Sequence, residues 1–150
     1  MIFKTHLMFG IFLGLFFLRS FSIEKGFLFI LVVAFFAIFP DIDFHKSKIG
    51  RKVKPLSWLI NFFLGHRGLI HSLLLAFVFY IILYAIFGAN YAAAALIGYS
   101  SHLFLDSFTP RGIKPLYPLK PKASSVLKGN GVYDYLLFFL FLVGSLLLLV

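Results

Sequence analysis

No cysteine occurs in the chain, so disulfides, cysteine-ligated zinc and thiol nucleophiles are excluded. Any metal must therefore be held by histidine, aspartate, glutamate or backbone oxygen. Acidic residues are scarce too, five against fourteen lysines and arginines, giving a net charge of +9. Charged residues make up 13% of the chain, about half the ~25% of a soluble domain. No HExxH or GxSxG string is present, which argues against zincin and serine-hydrolase chemistry. The phosphohistidine phosphatase pattern SRxxxxxHxxxD also fails. Ala95 and Leu96 stand where it needs serine and arginine before His102. No internal repeat or low-complexity segment is evident.

What fills the chain instead is apolar: 61% of the residues, with 22 phenylalanines in a length of 150. This composition is that of an integral membrane protein. The expected fold is all-α, a membrane-embedded helical bundle, with residues 1–150 forming one domain. The positive charge matches anionic lipid headgroups better than nucleic acid, and no nucleic-acid partner is expected.

Five spans and one interfacial segment are expected. Residues 7–18 and 27–39 are apolar runs shorter than the ~20 residues of a straight span, so each must borrow flanking residues or thin the bilayer. The first resembles a signal-peptide core, but Arg19-Ser20-Phe21-Ser22 is a poor cleavage site and a second apolar run follows at once. Residues 41–55 are polar and basic. Residues 56–64 are too short to cross and predict an interfacial or re-entrant helix, with Trp58 near headgroup level. Residues 68–88 and 89–106 predict two full spans, the second rich in small residues that permit close packing. A Pro/Gly/Lys-rich loop covers 107–132, and 135–150 predict the last span.

Threading these segments alternately through a bilayer sorts the polar residues. His6, His45, His66, His71 and His102 all fall on one side, with Asp41, Asp43, Asp106 and Asp134. Of the lysines and arginines, only Arg19 and Lys25 fall on the other. The positive-inside rule makes the histidine side cytoplasmic. Scattered surface histidines would not sort this way, whereas a shared site would.

Several local patterns bear on that site. His102 and Asp106 are four apart, so on a helix they share a face. They can share a metal, the aspartate can orient the imidazole, or the two can form a plain surface hydrogen bond. His66 and His71, five apart, can meet at one centre only if His66 precedes the helix; otherwise they are two interfacial histidines. Pro40-Asp41-Ile42-Asp43 places two carboxylates two apart. An extended segment would aim both one way, as a binuclear hydrolytic site needs; a solvated turn among lysines is the alternative. Arg67 reads as a headgroup anchor or a phosphoryl clamp. His45 reads as solvated, and Asp134 as a ligand, a base or a helix-start charge.

Taken in order, these strings resemble the YdjM-like family of LexA-regulated, membrane-bound metal-dependent hydrolases. Thr5-His6 resembles the family's opening motif, and Phe39-Pro40-Asp41-Ile42-Asp43 its PDID motif, followed by Lys46-Ser47 and Gly50. Gly65-His66-Arg67-Gly68, with His71-Ser72, resembles HRGxTHS. Gly98-Tyr99-Ser100-Ser101-His102, with Asp106, Thr109-Pro110 and Gly112, resembles GYxSHxxxDxxTPxG, and Leu116-Tyr117-Pro118 the closing LxP. Departures occur at Phe44 before His45, at Ile70 where the family has threonine, and at Asp134 where a glutamate is usual after Gly129-Asn130. The family is in turn similar to zinc-dependent phospholipase C-type enzymes, helical proteins that bind a cluster of zinc ions. The resemblance implies His6, Asp41, Asp43, His66, His71, His102 and Asp106 as ligands of two or more divalent ions, zinc foremost.

The expected function is hydrolysis of a phosphoester or lipid-linked substrate by metal-activated water at the cytoplasmic face. Asp43 or Asp106 would be the general base, and Arg67 with nearby lysines would attract an anionic substrate. The alternative is a non-catalytic membrane protein with a structural or transport metal site, although no span carries the mid-depth ionisable residues of a conduit.

Overall fold

The computed structural model describes residues 3–21, 23, 25–44, 47–64, 67–125 and 131–150. The regular elements among these residues are all helices, with no β-strand. The helices are α1 (Phe3–Ser20), α2 (Gly26–Ile38), α3 (Lys54–Leu64), α4 (Leu73–Phe87), α5 (Ala89–Ser107) and α6 (Val132–Leu149). Two 3₁₀ turns, Phe39–Asp43 and Leu69–His71, follow α2 and precede α4.

Three stretches are long and apolar enough to cross a membrane: α1, α2 extended through its 3₁₀ turn to Asp43, and α6. Flanking residues lengthen the first two runs, so Lys4 and Arg19 both lie inside α1. Helix α4 is apolar throughout but has only 15 residues, about 22 Å at 1.5 Å per residue. The full-length span expected over 68–88 therefore begins late, at Leu73. Its start is diverted because Ser72 is extended and caps α4, its hydroxyl accepting from the Leu75 N–H. Gly88, at φ 86°, closes α4 and leads straight into α5, a left-handed conformation that glycine adopts freely. Helix α3, 11 residues long, is too short to span. Its exposed Trp58, Leu59 and Phe62 form an apolar side suited to the interface.

Helix α5 is the hub. It packs against α1, α2 and α4, and Ala92, Ala94, Ala95, Gly98 and Ser101 are buried along it. Small residues draw backbones together where lipid supplies no hydrophobic drive between helices. A Cβ on Gly98 would meet the Val33 carbonyl oxygen, and one on Gly10 would meet Ala37 Cβ. Helix α6 runs parallel to α1: Thr5 Oγ1 donates to the Asp134 carbonyl (3.2 Å) at one end, and Arg19 Nη1 to that of Leu148 (3.1 Å) at the other. The remaining surface of α6, including Leu136, Phe139, Leu140 and Leu147, is exposed. So large an apolar exposure is what a lipid-facing helix presents.

Two glycine substitutions test this packing. Gly98→Ala puts its Cβ on Val33 and 3.0 Å from Phe36 Cβ, and should cost about 1–3 kcal/mol. Gly14→Ala meets Val33 at an ordinary 3.5 Å and should be neutral or stabilising, since alanine favours helix by up to ~1 kcal/mol. Thermal unfolding in detergent checks both; equal shifts would contradict the close-approach account.

Candidate metal centre

The up-and-down course of the helices brings polar residues to one end of the bundle. His6 comes from the first turns of α1, Asp41 and Asp43 from the turn after α2, and His71 from the turn before α4. His102 and Asp106 come from the last turns of α5. His6, His71, His102 and Asp106 are 0–2% exposed. Ligand atoms of His6, His102 and Asp106 lie within 4.8 Å of one another, and so do those of Asp41, His71 and His102. The two triplets share His102.

His102 is held from behind. His102 Nδ1 lies 2.9 Å from the Ala37 carbonyl; a carbonyl only accepts, so Nδ1 donates and Nε2 faces the cluster. Its ring stacks on that of His6, with centroids 4.1 Å apart, and His71 meets it edge-on at 5.3 Å. Asp106 joins the elements. Its Oδ1 is 3.3 Å from His6 Nε2, and its Oδ2 is 3.0 Å from Arg67 Nη2 and 3.6 Å from His71 Nε2.

The paired carboxylates behave differently from the extended reading. Pro40 opens a 3₁₀ turn over 39–43, and at three residues per turn Asp41 and Asp43 diverge. Asp41 enters the second triplet, while Asp43 belongs to neither. Its Oδ2 lies 3.3 Å from His71 Nδ1 and accepts the Arg67 N–H at 3.0 Å, placing it on the far side of the imidazole. The expected ligands His66 and the nearby His45 lie outside the described residues. Asp134 is buried in the first turn of α6 and is in neither triplet.

Arg67 turns inward, not out to headgroups. Its backbone is left-handed, at φ 62°. Besides Asp106, its guanidinium donates to Thr109 Oγ1 (3.0 Å) and the Gly112 carbonyl (2.8 Å). Residue-by-residue reading missed Thr109, Gly112 and Tyr99, whose hydroxyl donates to the Ile70 carbonyl and so fixes the turn carrying His71. The only signal for Thr109 and Gly112 was their place in a motif string.

The donor set fits a divalent ion. His6 Nδ1 and His102 Nε2 are buried with no hydrogen-bond partner among the described residues, a costly state in a low-dielectric interior unless a cation answers it. Imidazole and carboxylate without sulfur suit Zn²⁺ and also accommodate Mn²⁺ or Fe²⁺.

Fold and site together define a membrane-embedded helical protein with a buried His/Asp cluster at one end of its bundle. The chain belongs to the YdjM inner membrane protein family, whose pattern matches residues 1–149. The uncharacterized protein YvsG of Bacillus subtilis is 45% identical over 83 residues, 55% of this chain and 52% of that protein. The inner membrane protein YdjM of Escherichia coli is 35% identical over 89 residues, 55% of this chain and 45% of that protein. The aligned region thus spans about half the length of these curated relatives. No solved structure matches the chain.

Metal analysis of the purified protein checks the donor set. Zinc-type metal should co-purify, and His71→Ala or Asp106→Ala should abolish it, while Asp134→Asn should keep it. Asp106→Ala also strands Arg67, and losing one partner of a buried pair costs about 3–5 kcal/mol, readable as a lowered unfolding midpoint.

Proposed function

We propose that this protein is a membrane-bound, metal-dependent hydrolase acting at the cytoplasmic face on a phosphoester or lipid-linked substrate. One observation carries the reading: five side chains from four separate segments form two triplets of ligand atoms sharing His102. His6, Asp41, His71, His102 and Asp106 would hold two or more divalent ions, zinc foremost, with His66 as the further ligand that the family motif implies. Such ions, when bound, supply Lewis acidity and make water nucleophilic near neutral pH.

The chain's own residues divide the remaining work. Arg67 anchors Asp106 and ties it to the loop after α5. Asp43 orients His71 through Nδ1, the carboxylate–imidazole arrangement that fixes a ligating histidine. Of the two carboxylates expected as proton acceptors, Asp106 already meets Arg67 and His6. Asp43, however, stands behind His71 and outside both triplets, so Asp106, which lies among the ligand atoms, is the residue we assign to take the proton from water. The orientation rests on the positive-inside rule: Lys48, Arg51, Lys52 and Lys54 lie on the polar segment at the cluster's end, and Arg19 at the opposite end of α1.

Burial favours a second reading, a non-catalytic structural or transport ion. Closed sites are the structural ones, whereas catalytic sites keep a position open, and four of the five side chains are essentially inaccessible. Asp41, less buried than the others, favours the open form.

Turnover separates the two readings. The metal-loaded protein should hydrolyse at least one member of a panel of phosphoesters and phospholipids. Asp43→Asn, which keeps an acceptor for His71 Nδ1–H but removes the charge, should keep the metal and lower the rate about 10–100-fold, the usual scale for a partner that orients a ligating histidine. Full metal occupancy with no turnover on any substrate would leave the structural reading standing.

A further inference from the structure

The +9 charge is concentrated beyond the cluster. A cleft of about 250 Å³ opens beside Arg67, lined by Arg111, Lys114, Lys122 and Tyr117 among others. Its walls are fixed. Ile113 is buried and forms an antiparallel bridge with Ala123, each N–H donating to the other's carbonyl at 2.9 Å. Ser125 N donates to the Thr109 carbonyl (3.2 Å), and the Pro115 carbonyl accepts from Leu73 N (2.8 Å), tying the loop to the start of α4.

This construction puts like charges together. Lys114 and Lys122 directly flank the Ile113–Ala123 bridge and both line the cleft, and like charges held close together are destabilising. Among the described residues no acid is left to neutralise them. Asp41, Asp43 and Asp106 are committed to the cluster, and Asp134 is buried at the start of α6. Arg67 is shared: it lines the cleft while its Nη2 holds Asp106. The cleft is thus one side chain away from the candidate metal centre.

We propose that this cleft is a phosphate seat: Arg111, Lys114 and Lys122 bind the phosphate of the substrate beside the ion cluster. The cleft is smaller than the ~300–1,000 Å³ pockets that enclose drug-sized ligands. It therefore takes a phosphate and its immediate ester, leaving any acyl chains in the bilayer. The proposal rests on the hydrolase reading for its purpose, and names the substrate class as a phosphate ester. The shared chemistry is a phosphate anion, free or on a lipid headgroup.

Binding by the full chain, as purified in phosphatidylcholine nanodiscs, tests it without turnover. One arm titrates inorganic phosphate and follows its ³¹P signal; the other adds phosphatidic acid to the discs and measures lipid retained by native mass spectrometry. The variant is Arg111→Gln/Lys114→Gln/Lys122→Gln. The control, Lys48→Gln/Lys52→Gln/Lys54→Gln, removes equal charge from the segment leading into α3 and its first residue. A tenfold or greater loss in the cleft variant alone supports the seat, through the soluble arm for free phosphate and the lipid arm for a headgroup. Equal losses in variant and control mean a general field and overturn it, as does no binding in either arm. Metal content is measured alongside, so a metal-free wild type that still binds phosphate through the cleft counts against the hydrolase reading and not against the seat.

Discussion

The structure turns on one carboxylate. Asp106, buried near the end of α5, faces the Arg67 guanidinium and the imidazoles of His6, His71 and His102. An uncompensated charge there would be prohibitive in so apolar a chain, and a buried pair is tolerated only with good geometry and further hydrogen bonds. The protein supplies those bonds from its backbone: the Ala37 carbonyl for His102, and the Gly112 carbonyl for Arg67. The polar end is therefore a connected network, in which every segment that meets the cluster also fixes another.

Such a network requires the helices to approach closely, and here the apolar part of the chain serves the polar part. Gly98 and Gly10 let α2 lie directly on α5 and α1, which brings the His6 and His102 rings into a stack. With larger residues at these positions α2 would be displaced, and the carbonyl of Ala37 with it. The lipid-facing helices α4 and α6 contribute little burial of their own. Their ends matter more: the extended Ser72 lets the His71 turn fold inward, and Thr5 ties Asp134 to the start of α1.

The membrane class, the helical elements and the gathering of His6, His71, His102, Asp41 and Asp106 at one end were legible in the sequence. Hydrophobic runs and proline positions are local properties, and a bilayer forces alternate threading. His102 and Asp106 share a helix face by spacing alone. What spacing misjudged was Pro40-Asp41-Ile42-Asp43, because the choice between extended and 3₁₀ backbone is made by what the segment packs against. Asp41 and Asp43 consequently flank His71 from different sides. The start of α4 was misplaced for the same reason, its first turn being set by Ser72 and by the Pro115 carbonyl, which lies over forty positions away.

The sequence by itself determined that this is a helical membrane protein, since composition and periodicity act over a few neighbouring residues, and its motif strings carried the resemblance to the YdjM family. Only the tertiary structure decided which of its ionisable residues touch, that Arg67 points to Asp106 and not outward, and that Lys114 and Lys122 line one cleft beside it. Those outcomes depend on distances between segments remote in the chain. Such distances are set by helix packing, which no single segment encodes.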